Sequence, residues 1–361
     1  MSHDKQIAKS DWRPGMSGVL DTAVLFVDLV SSSDFASVMG LREYAEYVDA
    51  FHHLCYEQCR FFFEELHKGM YAPDGLDYEV KVVGDEMVVF LNSDKPANDV
   101  YQLICLAVTL KCGWLGLPVN KARMESGMSC SGLAAGINAG QIWATRTESG
   151  FDRSGFAINV AKRTESASRE GERFRIFITD PAFKRINRKI RNLLFSHRHM
   201  VGMKGIVVPI AVYEVAECFL DVGVRLAPAY SDGFRDVALQ AMRTNSFDLW
   251  VHTCFQVAEA ARHDDSITDE CLDWCRNVLN IDPENPAALY HAAQGMRERG
   301  DPETAMLYLD DLTSHWPTLA DGWLEMGRVQ KMLNKPQEAR KSIKQAIRLG
   351  VHPSEEELPE L

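Results

Sequence analysis

Hydrophobic and polar positions follow two alternating rhythms from about residue 20 to 217 and a single one beyond about 240. "TAVLFVDLV" (22–30) is a nearly unbroken apolar run of strand length, which reads as a buried strand. "LREYAEYVDAFHHLCYEQCRFFFEELHKG" (41–69) places its apolar residues at helical spacing and ends near a glycine. "YEVKVVGDEMVVF" (78–90) alternates before Gly84-Asp85 and is apolar after it, the pattern of a hairpin over a tight turn. A helix is expected through "DVYQLICLAVTLKCGWL", strands in "GLAAGINAGQIWATR", and a helix in "GFAINVAKRTESAS". The strands "RFRIFITD" and "GIVVPIAVYEV" complete the series. Strands mixed with helices of this length predict a sheet covered by helices on one face.

Beyond 240 the strands give way to self-similarity at a fixed period. Pro283 and Pro317 stand 34 apart, as do Leu289 and Trp323, Pro302 and Pro336, Ala305 and Ala339, and Leu309 and Ile343. A weaker earlier copy puts Phe255, Cys271 and Cys275 in register. The period is that of tetratricopeptide repeats, in which each helix pair buries its face against the next. The expected division is an N-terminal arm (1–20), an α/β domain (21–217), a linker around "RLAPAYSDGF" (218–239), helical repeats (240–350) and an acidic tail (351–361).

Composition narrows the partners. The 361 residues suffice for two domains, and 46% apolar with 25% charged residues is ordinary for a globular protein. A net charge of -12 argues against a nucleic-acid backbone as partner, and a bound polyanion would need local cations or metal. No apolar run reaches the roughly 18 to 20 residues of a membrane span, and the N-terminus lacks a signal-type apolar core. Nine cysteines, none in a C-x-x-C pair, include Cys55/Cys59 and Cys271/Cys275 at helical spacing, which reads as buried free thiols in a reducing, cytoplasmic setting. His197 and His199 in "SHRH" could be metal ligands, but a solvated basic turn is the simpler reading.

Three segments carry candidate chemistry. Asp28 ends the first strand and opens a turn of serines, a setting that suits a metal-bound phosphate site. Asp85 stands at the hairpin turn with Lys81 four residues before it; at extended spacing the two lie about 13 Å apart on one face, far for one small ligand. Asn159 and Arg163 are four apart on one helix face. Singly, a strand-end Asp is usually a cap, hairpin charges are usually solvated, and so is an Asn/Arg face.

Together, "FVDLVSSS", "KVVGDEM", "GINAGQIWA" and "FDRSGFAINVAKR", in that order, resemble the class III nucleotidyl cyclases over roughly Thr22 to Val215. The resemblance implies a ferredoxin-like α/β sandwich, so that the whole chain is expected to be α+β with an all-α tetratricopeptide-like domain behind it. It implies two divalent ions, Mn²⁺ or Mg²⁺, held by Asp28, the Leu29 carbonyl and Asp85. It makes Lys81 and Asp152 the base-reading residues, Asn159 the ribose-orienting residue and Arg163 the phosphate clamp. "MKGI" is similar to a late Lys-Gly strand and makes Lys204 a triphosphate contact; Ser33 in the serine turn is a further substrate contact. Ser31 and Ser32 stand where many relatives carry glycine and an aromatic, and Ser154 replaces an aromatic before Gly155.

In that family the domain pairs head to tail, so Asp28 and Asp85 of one protomer would serve with Lys81, Asp152, Asn159 and Arg163 of the other. The implied reaction is attack of the ribose 3′-hydroxyl on the α-phosphate, giving a 3′,5′-cyclic nucleotide and pyrophosphate. A lysine donor with an aspartate acceptor suits adenine, cytosine or, after a small shift, uracil. With no membrane or sensor module ahead of the motifs, the chain is most similar to the stand-alone bacterial pyrimidine cyclases of antiphage defence, which favours UTP over ATP as substrate. Tyr44, Tyr47 or Phe51 would then fill the space left by a small base, unless they are core residues. The other open readings are an adenylate cyclase and a catalytically silent dimeric scaffold. A protein or peptide ligand on the helical repeats is the remaining expected partner.

Overall fold

The computed structural model describes residues 12–66, 76–128, 130–171, 174–187, 191, 195–215, 266–280 and 283–351. The expected linker, Phe255 with the first part of the repeats, most of the N-terminal arm and nearly all of the acidic tail lie outside them. In chain order the elements are β1 (Ser17–Leu29), α1 (Ser32–Val38), α2 (Leu41–Arg60) running into a π-helical turn at Phe61–Leu66, β2 (Leu76–Val83), β3 (Glu86–Ser93), α3 (Pro96–Gly116) and α4 (Pro118–Glu125). Then come β4 (Leu133–Arg146), β5 (Phe151–Ser154), α5 (Phe156–Ser168), β6 (Ile176–Thr179), α6 (Asp180–Arg185), β7 (Phe195–Val201) and β8 (Ile210–Val215). A helical series follows: α7 (Asp269–Leu279), α8 (Pro286–Glu298), α9 (Pro302–His315), α10 (Ala320–Met332) and α11 (Pro336–Leu349).

The strands form one sheet of 8 in the order β2-β3-β1-β4-β6-β8-β7, with β5 folded back on β4. β1, α2, β2, β3, α3 and β4 compose a β-α-β-β-α-β unit with spatial order β2-β3-β1-β4, the ferredoxin-like arrangement. The chain is therefore α+β with an all-α C-terminal segment, as its patterning predicts.

Strand parity sorts the side chains. Leu25 and Val27 of β1, Met87 and Val89 of β3, and Leu133 and Ile137 of β4 bury into one core beneath α2 and α3. The intervening residues Val24 and Phe26, Val88 and Phe90, and Ile142 pack on the opposite face with Ala157 and Ala161 of α5. The expectation of helices on one face is thus corrected: α5 covers the second face, because both parities of β1 are apolar and each needs a cover. Three further corrections concern boundaries. β1 starts at Ser17, inside the expected arm. "GLAAGINAGQIWATR" makes one long strand. "SHRH" lies in β7 instead of a turn.

In the helical segment α8 and α10 begin 34 residues apart, as do α9 and α11. Pro286, Pro302 and Pro336 occupy first-turn positions where no backbone donor is needed. Leu289, Ala305 and Leu309 bury into one cluster and Ile343 into the next. Cys55, Cys59, Cys271 and Cys275 are buried.

Candidate active site

The even parity that puts Phe26 under α5 puts Asp28 there too, beside Glu86, its antiparallel neighbour on β3. Facing them on α5 is Glu165, fully buried, and the three carboxylates each bring an oxygen within 4.8 Å of the others. Two cations hold them. Lys162 Nζ lies 3.4 Å from Asp28 Oδ2 and 3.0 Å from Glu165 Oε2, and also bonds Glu86. Arg169 donates from Nη2 to Asp28 Oδ2 at 2.5 Å and from Nε to Glu165 Oε1 at 3.1 Å. Lys162, Glu165 and Arg169 recur at i, i+3, i+7, so one stripe of α5 faces the strand ends.

The hairpin brings Asp85 to this place. The turn is two residues long, with Val83 paired to Glu86, and Gly84 takes the left-handed φ of +62° that L-residues avoid. His52 of α2 meets the Gly84 carbonyl at 2.5 Å, and the Asp85 carbonyl accepts from Leu29 N at 3.3 Å. Asp28, Leu29 and Asp85 are therefore brought together. Burial, with Glu165 and Asp85 adding to it, outweighs Lys162 and Arg169 and pushes the Asp28 carboxyl up to about 6. Its Oδ1 is buried with no hydrogen-bond partner. A buried carboxylate oxygen with an idle lone pair, among hard oxygen donors, fits an Mg²⁺- or Mn²⁺-type cation.

The expected substrate residues fall elsewhere. Lys81 sits on the opposite parity from Val80 and Val82 and donates to the Phe151 carbonyl at 3.0 Å, which ties it to β5, the strand bearing the exposed Asp152. Glu79 reaches both Lys81 (3.1 Å) and the buried Arg153, whose guanidinium lies over the Phe90 ring. The turn thus gives Lys81 and Asp85 different neighbours, and the extended spacing read from the sequence does not apply, because Asp85 belongs to the turn. Asn159 and Arg163 are exposed on a ridge roughly 60 to 100° around α5 from Lys162. Arg163 and Lys204 line one cleft of about 670 Å³ with His199, Phe177 and Glu214. Ser33 is exposed in α1, behind Ser31, which takes a left-handed φ of 57°.

Two of the candidate pocket aromatics are corrected. Tyr47 and Phe51 are core residues against Trp114, and the Tyr47 hydroxyl donates to Asn120 Oδ1 at 3.0 Å. Only Tyr44 lies at the site, where burial and Asp85 raise its hydroxyl pKa. Glu86, Lys162, Glu165 and Arg169 are the site residues that the sequence reading passed over. Shared parity with Asp28 and the i, i+3, i+7 stripe were the available signals.

No protein-family model matches the chain, and no curated protein does. Solved structures similar to it include the adenylyl cyclase CyaB from P. aeruginosa, 16% identical, with 57% of this chain and 98% of that one covered at a TM-score of 0.46. The guanylyl cyclase Cya2 is 16% identical over 60% of this chain and all (100%) of its own, also at 0.46. An adenylate cyclase from Trypanosoma brucei is 19% identical over 54% and 89%, at 0.41. No helix among the described residues is long and apolar enough to cross a membrane.

Proposed function

We propose that the protein is a class III-type nucleotidyl cyclase that converts UTP to cyclic UMP and pyrophosphate. The observation that carries the reading is the buried Asp28 carboxylate, with one oxygen unpartnered, backbone-linked through Leu29 to the turn of Asp85. A motif-bearing strand end and a motif-bearing turn would meet this way if they shared a cation. Divalent ions on Asp28, Asp85 and the Leu29 carbonyl would lower the pKa of the ribose 3′-hydroxyl and offset phosphate charge.

The remaining roles go to groups in two separate neighbourhoods. Lys81 and Asp152, joined through β5, offer a donor and an acceptor to the base edge. Asn159 orients the ribose, Arg163 stabilises charge at the α-phosphorus, and Lys204 in the same cleft, with Ser33, holds the triphosphate. Arg163 and Lys162 diverge around α5, which supports a site completed by a second copy of the chain: the carboxylates of one protomer facing the cationic ridge of its partner. Such a head-to-tail pair makes the homodimer part of the mechanism. Tyr44, the one candidate aromatic left at the carboxylate end, would limit the space open to the base of the bound nucleotide, which favours a pyrimidine. The product would then serve as a diffusible messenger, in antiphage defence on the resemblance described above. The second reading is ATP to cyclic AMP, since the Lys81/Asp152 pair also complements adenine N1 and N6. The helical segment is assigned to tetratricopeptide-type repeats with a protein or peptide ligand.

Incubating the purified chain with Mn²⁺ and each of the four ribonucleoside triphosphates separately tests this. Cyclic UMP from UTP is the expected product, and cyclic AMP from ATP would select the second reading. Pyrophosphate release from none of them would leave a silent scaffold and overturn the assignment.

A further inference from the structure

Lys162 is adjacent to the clamp residue Arg163 in sequence, yet none of the roles above uses it. Its ammonium lies among Asp28, Glu86 and Glu165 and meets Asp28 through Oδ2, next to the buried Oδ1 that has no partner. Arg169 braces the cluster from the other end of the stripe, spanning Asp28 and Glu165. Three carboxylates and two cations leave one net negative charge. The two cations differ in kind. Arg169 makes a fixed two-nitrogen fork, whereas Lys162 is a compact charge on a flexible stem. The Lys162 side chain is one-third exposed (33%), so its ammonium has a short path to water.

We propose that Lys162 is a resident monovalent cation of the carboxylate cluster, occupying the approach that a divalent ion must take and leaving when that ion binds. The inference rests on the metal reading above and adds a residue to it. In the metal-free chain Lys162 offsets repulsion among the carboxylates. During metal loading it is the charge to be expelled, so it sets the apparent metal affinity. Lys162 acts on the cation through the carboxylates and is a positioning residue.

The test is Mn²⁺ binding by the full chain, followed by calorimetry and by the electron paramagnetic resonance of bound Mn²⁺, with no nucleotide present. Lys162→Met should bind Mn²⁺ about tenfold or more tightly than wild type, because a like charge a few ångströms from the ion is removed. Lys162→Arg should stay near the wild-type affinity. In chelator, Lys162→Met should melt below wild type, and saturating Mn²⁺ should raise its midpoint by more than it raises that of wild type. Lys162→Gln replaces the Met variant if that chain fails to fold, with the same expectations. Equal or weaker Mn²⁺ binding by a folded neutral variant overturns the resident-cation role alone. An absence of Mn²⁺ binding in wild type and variants alike overturns the metal reading itself, and this inference with it.

Discussion

Asp28 concentrates the chemistry of the chain in one side chain. Buried at 6% exposure, with Glu165 and Asp85 adding to the effect of burial against Lys162 and Arg169, its carboxyl is held near 6 against an ordinary 3.8. A raised carboxyl pKa means that the folded state prefers the protonated form. The stability this gives is complete below about pH 4 and lost as pH rises through about 6. Asp28→Asn should therefore stabilise the metal-free protein at pH 8, by about 1 to 3 kcal/mol, while Lys162 and Arg169 keep Glu86 and Glu165 as partners. The gain should shrink as pH falls through 6 and vanish near 4. Thermal melts in chelator across that range check it; a constant offset at every pH would contradict the origin given for the shift.

At the scale of elements, the candidate residues were legible where the signal is local and hidden where it is not. "FVDLVSSS" and "KVVGDEM" announce a strand end and a turn through a few adjacent residues, and both form as read. That Lys162, Glu165 and Arg169 serve the carboxylates depends on which stripe of α5 lies on β1 and β4, which is a fact of tertiary packing. Tyr47 and Phe51 illustrate the converse: helical spacing marks them as one-sided, and only Trp114 and Asn120 show that the side is the core. In β7, pairing with β8 gives "SHRH" an extended conformation despite its polarity. The hairpin gives a test of local cause. A Cβ at Gly84 would meet nothing within 4 Å, so Gly84→Ala pays only for its positive φ. It should cost about 1 kcal/mol in a melt, with little change in the fold. A loss several times larger would mean that the Gly84 carbonyl contact with His52 carries the turn.

For the whole molecule, the separation of carboxylates from the cationic ridge makes the proposed dimer testable by mixing. Asp85→Ala lacks part of the cation site but retains Lys81, Asp152, Asn159 and Arg163; Arg163→Ala has the opposite defect. Each alone should be inactive. With random exchange about half of the dimers are mixed, and one of their two sites is intact, so the mixture should recover roughly a quarter of wild-type turnover. Verified heterodimers with no turnover would mean that each site is built within one chain.

Gly136 is where α5 rests on β4: a Cβ there would overlap the backbone N of Glu165 and come within 2.6 Å of the Ala161 carbonyl oxygen. The helix seated on this glycine carries the stripe that holds Asp28 and the ridge that carries Arg163. In the language of genetics, Asp85 and Arg163 lesions would fall into two complementation groups, each rescuing the other. A Gly136→Ala chain that folds and dimerises would belong to neither, because tilting α5 spoils the donor half and the acceptor half of the same polypeptide. Paired with either lesion it should remain silent, and paired with wild type it should lower activity, behaving as a dominant allele of a gene whose point mutants are otherwise recessive.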